Sequence, residues 1–210
     1  MAIIFYDIPC TLPNNSWSPN TLKTRYTLNF KGIPYETVWV EYPDIEPLCK
    51  KLGIPPTSKK EDGNEHYTLP AIHDPSTGAY LSDSILIAEY LEKTYPDTPQ
   101  VFPHHTIALQ ATFAEAFWDS IGIARDFIIP AAYTRLNPRS QEYFRRTKSF
   151  GKSIEDRTPK GEDAIAKWEQ FRGGLGRVDK WYAKSDGKGA FLMGETLSWE
   201  TLSSPPSSSG

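Results

Sequence analysis

Ser16–Lys23 reads SWSPNTLK and places a serine directly before a proline at a predicted helix start. Ser18 suits the N-cap, and Pro19 suits the first helical residue because that position needs no backbone N–H donor. The free amides of a helix start carry partial positive charge and stabilise an anion such as a thiolate. Ser18 is therefore either a simple helix cap or part of an anion-binding site.

Two modest effects must combine if Ser18 is to activate a thiol. A thiol with a pKa of about 8.5 is mostly protonated at neutral pH, and lowering that pKa by about two requires roughly 2.7 kcal/mol. A helix terminus supplies about 0.3–1 kcal/mol, or ~2 when partly buried, and a hydroxyl donor to a charged acceptor supplies about 1.5–3 kcal/mol. Ser18 can cap the helix and also stabilise the thiolate, because its oxygen accepts from a helix N–H while its hydrogen points at sulfur.

Strand and helix patterns alternate over the first hundred residues. The predicted elements are strand 3–6, helix 19–30, strand 35–41, helix 44–52, strands 71–73 and 79–81, and helix 84–94. Residues 54–66 are polar and rich in Pro, Lys and Gly, which is typical of a surface loop. The order βαβαββα favours a thioredoxin-like layer, in which a mixed sheet carries helices on both faces.

Only helical patterns follow the proline-containing linker at 99–103. Apolar residues recur with helical spacing over 109–121 and again over 164–182, which predicts two amphipathic helices. Gly173, Gly174 and Gly176 interrupt the second of these helices, at a cost of about 1 kcal/mol each relative to alanine. The sequence therefore predicts an α/β domain at 1–97 and an all-α domain at 104–201.

Composition excludes several classes of function. With 23 basic and 26 acidic side chains, the chain lacks the basic patch that nucleic-acid binding requires. No apolar run approaches the roughly 20 residues that span a bilayer, and the N-terminus lacks the pattern of a secretory signal. Cys10 and Cys49 make no disulfide framework or zinc site; we interpret Cys10 as a small filler near the site and Cys49 as a core contact. We expect a cytoplasmic protein with no metal, no membrane association and no nucleic-acid partner.

Leu69–Pro70 marks the start of a strand after a long loop. If this bond is cis, the backbone of Leu69 turns outward and can pair with a peptide-like ligand. Alternatively, Pro70 merely begins an edge strand, where a missing N–H is tolerated.

Ser82, Asp83 and Ser84 open the helix that follows the predicted hairpin. Ser84 and the first amides can hold a carboxylate while Asp83 takes an ammonium group, which together would bind the α-amino acid end of a ligand. The other interpretation is that Ser82 or Asp83 is an ordinary N-cap.

Together these motifs resemble the glutathione transferase family over the chain up to about Gly194. Longer stretches are similar to the fungal, etherase-related class: SWSPNT at 16–21, EYPDIEPLCKKLGIPPTS at 41–58, YTLP at 67–70 and SDS at 82–84. Bacterial lignin β-etherases share the Trp-Ser-Pro-Asn pattern. The resemblance implies a thioredoxin-like N-terminal domain followed by a helical C-terminal domain.

The resemblance also implies glutathione as cosubstrate, with its thiolate held by Ser18. The backbone of Leu69 would pair with the cysteinyl moiety, and Asp83 with Ser84 would hold the γ-glutamyl group. Ser16 is a second candidate hydroxyl, ranked lower because only Ser18 precedes the proline. The implied catalytic residue is Ser18, and the implied glutathione-binding residues are Ser16, Trp17, Asn20, Leu69, Pro70, Asp83 and Ser84.

Relatives with cysteine in place of Ser18 form mixed disulfides, which a serine cannot do. Conjugation, peroxide reduction or thiolytic ether cleavage is therefore the more consistent chemistry. A hydrophobic or aromatic second substrate would bind between the two halves, and the resemblance implies a homodimer. Aromatic candidates for the second site, each of which is also a candidate core residue, are Trp17, Phe117, Trp118, Phe127 and Tyr133.

The resemblance weakens near the end of the sequence. Family members continue into a buried helix that opens with a Ser/Thr-x-x-Asp capping box, whereas Ser198–Thr201 has threonine in place of the acid and Pro205–Pro206 follows. This predicts that the helix is absent, that the helical domain is incomplete with exposed apolar stripes, and that 202–210 is a disordered tail. The alternative functions are binding of glutathione or an aromatic ligand without turnover, and a non-catalytic interaction domain.

Overall fold

The computed structural model describes residues 1–148, 154–185, 189 and 191–203. The chain divides into two compact units: Met1–Val101 with Leu136–Tyr143, and Phe102–Arg135 with Phe144–Gly210. The first unit is a mixed sheet covered by helices and the second is helical, which confirms the predicted fold class. None of the described helices is long and apolar enough to span a membrane.

The first unit follows the predicted order of strands and helices. Its elements are β1 (Ile3–Asp7), α1 (Pro19–Lys31), β2 (Tyr35–Trp39), α2 (Ile45–Leu52), β3 (Ser58–Lys59), β4 (Glu65–His66), β5 (Ala71–Asp74), β6 (Ala79–Ser82) and α3 (Ser84–Thr94). The main sheet has the strand order β2-β1-β5-β6, with β1 and β2 parallel and the other pairs antiparallel. The predicted loop at 54–66 instead contains a short ladder, in which β3 pairs with β4.

Alternate side chains of β1 enter two separate cores, as the two-residue period of a strand requires. Ile3 and Phe5 pack with Leu28 of α1 and with Ile87 and Leu91 of α3. On the other face, Tyr6 packs with Ile45 and Cys49 of α2. Helices therefore cover both faces of the sheet. Because β1 and β2 are parallel, the intervening α1 runs back along the sheet, and its start lies near the end of β1.

Residues 136–143 belong to the first unit, although they lie far along the chain from it. Ser140 is fully buried, donates to the Glu41 carboxylate and accepts from the backbone N–H of Tyr42 at 3.0 Å. Asn137 donates to the same carboxylate at 2.7 Å, and Arg139 forms a two-pronged ion pair with Asp44. We call residues 136–143 the strap; the predicted boundary near 97–104 did not include it.

The second unit is built from helices. They are α4 (Ile107–Ile121), α5 (Arg125–Tyr133), the later part of α6 (Pro138–Lys148), α7 (Ile154–Arg157), α8 (Gly161–Tyr182) and α9 (Trp199–Ser203). Phe117 and Ile121 of α4 pack with Val178 of α8 to form a buried core, with Trp181 and Tyr182 against it. The apolar stripes predicted for these two helices are thus partly buried, whereas Leu109 and Trp168 on the same stripes are 60% and 56% exposed.

The prediction that no helix follows Ser198 is wrong for residues 199–203, which form α9. The backbone N–H of Leu202 bonds to the carbonyl of Ser198 at 3.1 Å and closes the first turn. The side chain of Gln110 accepts from the backbone N–H of Glu200 at 2.9 Å, so a residue of α4 satisfies one of the donors at the helix start. Leu202 and Ser203 therefore do not belong to a disordered tail, and 204–210 lie outside the described residues.

Candidate functional site

Ser18 directly precedes α1 and is buried, with an extended backbone conformation. Its side chain makes no capping hydrogen bond, so the prediction that its oxygen accepts from a helix N–H is wrong. Pro19 has no N–H to offer, and the helix start is closed by the backbone carbonyl of Ser18, which accepts from Leu22 N–H at 2.9 Å and from the Thr21 hydroxyl at 3.1 Å. The hydroxyl of Ser18 is therefore not used by the helix cap.

Ser16 is oriented differently from Ser18. Its hydroxyl donates to Oδ2 of Asp7 at 3.4 Å, and that carboxylate is fully buried at the end of β1. Arg25 of α1 donates to the same oxygen at 2.7 Å. Because the hydrogen of Ser16 is directed at Asp7, Ser18 is the better candidate donor to a ligand sulfur.

Trp17 lies half-buried against the hydrophobic cluster that includes Tyr6 and Leu69. Its indole N–H is buried and has no hydrogen-bond partner among the residues that the structure describes. An unpaired buried donor costs about 1–3 kcal/mol, and an acceptor on a bound ligand would relieve that cost. Asn20 is exposed in the first turn of α1, in the same turn as Ser18.

The Leu69–Pro70 peptide bond is cis, which was one of the two interpretations of this motif. Both residues are buried, and Pro70 directly precedes β5. Because β5 pairs with β1 on one side and β6 on the other, the alternative interpretation that Pro70 begins an edge strand is wrong.

Asp83 is the N-cap of α3, which was the alternative interpretation of this triplet. Its Oδ1 accepts from the backbone N–H groups of Ile85 at 3.0 Å and Leu86 at 3.4 Å, so Oδ2 can still accept from a ligand ammonium group. The φ of Asp83 is 77°, a conformation that is uncommon outside glycine and that concentrates at ligand-binding sites. Ser84 is half-buried at the first helical position, while Ser82 donates to the carbonyl of Pro55 at 2.6 Å.

The strand register brings these segments to one end of the sheet. Tyr6 of β1 is paired with Ala71 of β5, and Ala71 is paired with Ser82 of β6. The end of β1, the residues before β5 and the residues after β6 therefore lie side by side. The loop with Ser16 and Ser18, the Leu69–Pro70 bond and the start of α3 at Asp83 meet at this end, which we call the sheet end.

The two cysteines take no part in the candidate chemistry. Burial raises the pKa of the Cys49 thiol to about 11, and this side chain of α2 packs in the core that includes Tyr6 and Leu69. This confirms Cys49 as a core contact. Cys10 is also buried, and its sulfur accepts from Leu12 N–H at 3.4 Å. In the described part of the chain, no three His, Cys, Asp or Glu side chains converge on a metal position.

The aromatic candidates of the second unit fall into two groups. Phe117 and Tyr133 are buried: Phe117 belongs to the core with Val178, and Tyr133 contacts Phe144 at 6.3 Å between ring centres. Trp118 and Phe127 are only half-buried, and they remain the accessible members of that set.

Asp7 and Arg25, which the sequence motifs do not single out, lie beside Ser16 in the structure. Arg25 lies seven residues after Ser18, about two helical turns along α1, so it is near the same face of the helix. The signal that could have revealed the pair is an arginine two helical turns after Ser18, together with an acid at the end of the preceding buried strand.

Comparison with known proteins identifies relatives of both units. Residues 17–94 match the family model "Glutathione S-transferase, N-terminal domain", and residues 108–200 match "Glutathione S-transferase, C-terminal domain". A glutathione S-transferase of Ceriporiopsis subvermispora, CsGST63524, solved in complex with glutathione, is 49% identical with a TM-score of 0.91; the alignment covers 97% of this chain and 82% of that one.

Two further similar proteins match this chain at lower identity. The glutathione S-transferase-like protein ustS of Aspergillus flavus is 40% identical over 172 residues, which are 77% of this chain and 61% of that protein. The chain thus spans about three-fifths of the length of this curated relative. The β-etherase LigF of Sphingobium sp. strain SYK-6 is 18% identical with a TM-score of 0.56, a likeness that shows the fold alone.

Proposed function

Because this chain belongs to the glutathione S-transferase family, we propose that it binds glutathione at the sheet end and uses Ser18 to stabilise the thiolate. The observation that carries the proposal is the buried hydroxyl of Ser18, which directly precedes α1 and is not used by the helix cap. Its hydrogen can donate to sulfur at a helix start that already favours negative charge.

The reaction begins when the thiol of bound glutathione loses its proton to solvent. The Ser18 hydroxyl donates to the resulting sulfur anion, and the partial positive charge of the start of α1 lowers the thiol pKa further. The thiolate then attacks an electrophilic carbon with its lone pair, and the leaving group departs with the bonding electrons. A serine forms no mixed disulfide with glutathione, so conjugation fits better than thiol transfer.

The other residues at the sheet end hold the tripeptide. The backbone of Leu69 pairs with the cysteinyl moiety, and Oδ2 of Asp83 together with Ser84 binds the γ-glutamyl end. The unpaired indole N–H of Trp17 supplies a donor to a glutathione oxygen. Asn20, exposed in the first turn of α1, is the remaining polar group beside the sulfur.

The second substrate in this proposal is a hydrophobic or aromatic electrophile, and aryl ether cleavage and peroxide reduction are further reactions open to the thiolate. In the second unit, the candidates for contact with such a substrate are the half-buried aromatic side chains of Trp118 and Phe127. We also propose a cytoplasmic homodimer, as the resemblance to the family implied.

A second candidate is binding of glutathione or an aromatic ligand without turnover. The exposure of Leu109 and Trp168 favours it, because these residues of the apolar stripes present apolar surface to an aromatic ligand. Retention on immobilised glutathione with no turnover of any electrophile would support this candidate.

The test compares wild type with Ser18→Ala. Thiolate absorbance is measured against pH with glutathione bound, and turnover is measured with a chlorodinitrobenzene. We expect Ser18→Ala to raise the pKa of the bound thiol by about 1–2, the equivalent of one charge-assisted hydrogen bond, while Ser58→Ala, an exposed serine on β3, has no effect. An unchanged thiol pKa in Ser18→Ala would show that another group activates the sulfur.

A further inference from the structure

A buried ion pair joins the end of β1 to α1 in the first unit. Asp7 is fully buried, and its Oδ2 lies 2.7 Å from Nη2 of Arg25, whose side chain is only 17% exposed. The guanidinium also lies over three aromatic rings, 5.0 Å from the ring centre of Phe5, 5.7 Å from that of Tyr35 and 5.4 Å from that of Trp39. The arginine is thus held on several sides in one position.

The carboxylate of Asp7 also holds both ends of the loop between β1 and α1. Its Oδ1 accepts from the backbone N–H of Ile8 at 2.7 Å, where the loop begins. Its Oδ2 accepts from the hydroxyl of Ser16 at 3.4 Å, two residues before the loop ends. One carboxylate therefore contacts the strand, the loop and, through Arg25, the helix.

The helix cap leaves the side chain of Ser18 unfixed, because that side chain makes no capping hydrogen bond. The position of the hydroxyl then depends on the residues immediately before it. Ser16 is the nearest of these with a hydrogen bond to a rigid, buried group. Displacements near 1 Å at a reacting group reduce rates by as much as about 100-fold, so a tether at this place matters for the chemistry.

We propose that Asp7 and Arg25 are positioning residues, which act through Ser16 to hold the hydroxyl of Ser18 at the place where it donates to sulfur. This inference rests on the proposed function. Neither charged group contacts the ligand in this scheme. The same arginine also contacts β2, because its Nη1 donates to the hydroxyl of Tyr35 at 3.3 Å.

The test uses Ser16→Ala and Asp7→Asn, with Tyr35→Phe as a matched control. Tyr35→Phe removes a contact of the same arginine but leaves Asp7 and Ser16 in place. The measurements are the pKa of the bound glutathione thiol, kcat and KM with a chlorodinitrobenzene, and the melting temperature. Ser16→Thr, which keeps a hydroxyl, is the rescue variant.

We expect Ser16→Ala to raise the pKa of the bound thiol by about 0.5 and to lower kcat about threefold below that pKa, with little change in KM for glutathione. Asp7→Asn should lower kcat about tenfold, because it breaks the bonds to both Arg25 and Ser16. Ser16→Thr should recover most of the loss. Tyr35→Phe should change the melting temperature without moving the thiol pKa.

Two results overturn the inference in distinguishable ways. If wild type ionises the bound thiol through Ser18, but Ser16→Ala and Asp7→Asn keep its pKa and lower only the melting temperature, the pair is purely structural. If wild type leaves the bound thiol protonated, the proposed function fails and this inference fails with it. Should Asp7→Asn not fold, Ser16→Ala decides alone, because Ser16 is only half-buried.

Discussion

Gly174 of α8 lies directly against the backbone carbonyl of Ser120 in α4: a Cβ atom on this glycine would come within 2.0 Å of that oxygen. The neighbouring Gly173 and Gly176 have nothing within 4 Å of the same position. The three glycines therefore have different roles, although helix propensity assigns the same cost to each of them. Only at Gly174 does the absence of a side chain allow the two helices to approach.

Gly174→Ala should destabilise the protein by about 1–3 kcal/mol, because the contact is with rigid backbone and α8 must move away from α4. Gly173→Ala and Gly176→Ala are the matched controls, and each should stabilise the protein by up to about 1 kcal/mol through better helix propensity. Chemical denaturation followed by far-UV circular dichroism measures all three. Equal behaviour of the three variants would contradict the close approach at Ser120.

The strap should contribute strongly to stability through Ser140. Ser140→Ala removes the donor to Glu41 and the acceptor for Tyr42 N–H at a fully buried position, so we expect a loss of about 1–3 kcal/mol in the free energy of unfolding. Arg139→Ala is the control, since its ion pair with Asp44 is solvent-exposed and should cost much less. A larger effect at Arg139 than at Ser140 would refute this assignment.

The lowered pKa of the Asp74 carboxyl predicts that the stability of the protein depends on pH. Burial by itself would raise the pKa of Asp74, but hydrogen bonds from Ser76, Tyr95 and Tyr90 outweigh it and hold the pKa at about 2. A carboxyl whose pKa is lowered by folding stabilises the protein above its unfolded pKa, and this contribution is lost as pH falls from about 4 towards 2. Asp74→Asn should therefore be less stable than wild type at neutral pH, by a margin that shrinks over that range.

Melting temperatures measured between neutral pH and pH ~2 test this dependence. Tyr95→Phe should show part of the same effect, because its hydroxyl donates to Asp74 at 2.6 Å. Tyr26→Phe, an exposed tyrosine on α1, serves as the control. A constant difference between Asp74→Asn and wild type at all pH values would rule out Asp74 as the titrating group.

Much of the first unit could be predicted because local rules determine it. The helix predicted at 84–94 is observed as Ser84–Thr94. The helices predicted at 19–30 and 44–52 are capped in the structure by Gly32 and Gly53, which adopt the left-handed conformation with φ of 66° and 71°. Here backbone geometry, turn residues and apolar spacing all favour the same structure. The positions of Leu69–Pro70 and Asp83 at one end of the sheet follow from the same pattern.

The predictions failed where a group other than the expected side chain satisfies a backbone donor or acceptor. The cap at Ser18 is closed by Thr21 and the backbone, so N-cap preference alone misassigned the role of its hydroxyl. Gln110 accepts from the N–H of Glu200 across 90 positions, which satisfies one of the free backbone donors at the start of α9. A partner as distant in the sequence as Gln110 is not visible in the spacing of nearby residues.

Asp83 offers a way to separate helix capping from ligand binding. Asp83→Asn keeps an oxygen acceptor for Ile85 N–H and Leu86 N–H, since asparagine caps helices about as well as aspartate. It removes the negative charge that would hold the ammonium group of glutathione. We therefore expect KM for glutathione to rise about tenfold while kcat and the melting temperature stay near wild type.

Asp83→Ala completes the comparison because it removes both functions. It should raise KM as Asp83→Asn does and, in addition, lower stability by about 1 kcal/mol through the lost cap. Steady-state kinetics over a range of glutathione concentrations and thermal unfolding without glutathione measure the two effects separately. If Asp83→Asn binds glutathione as wild type does, the carboxylate serves only the helix, and the γ-glutamyl end must be held by other groups.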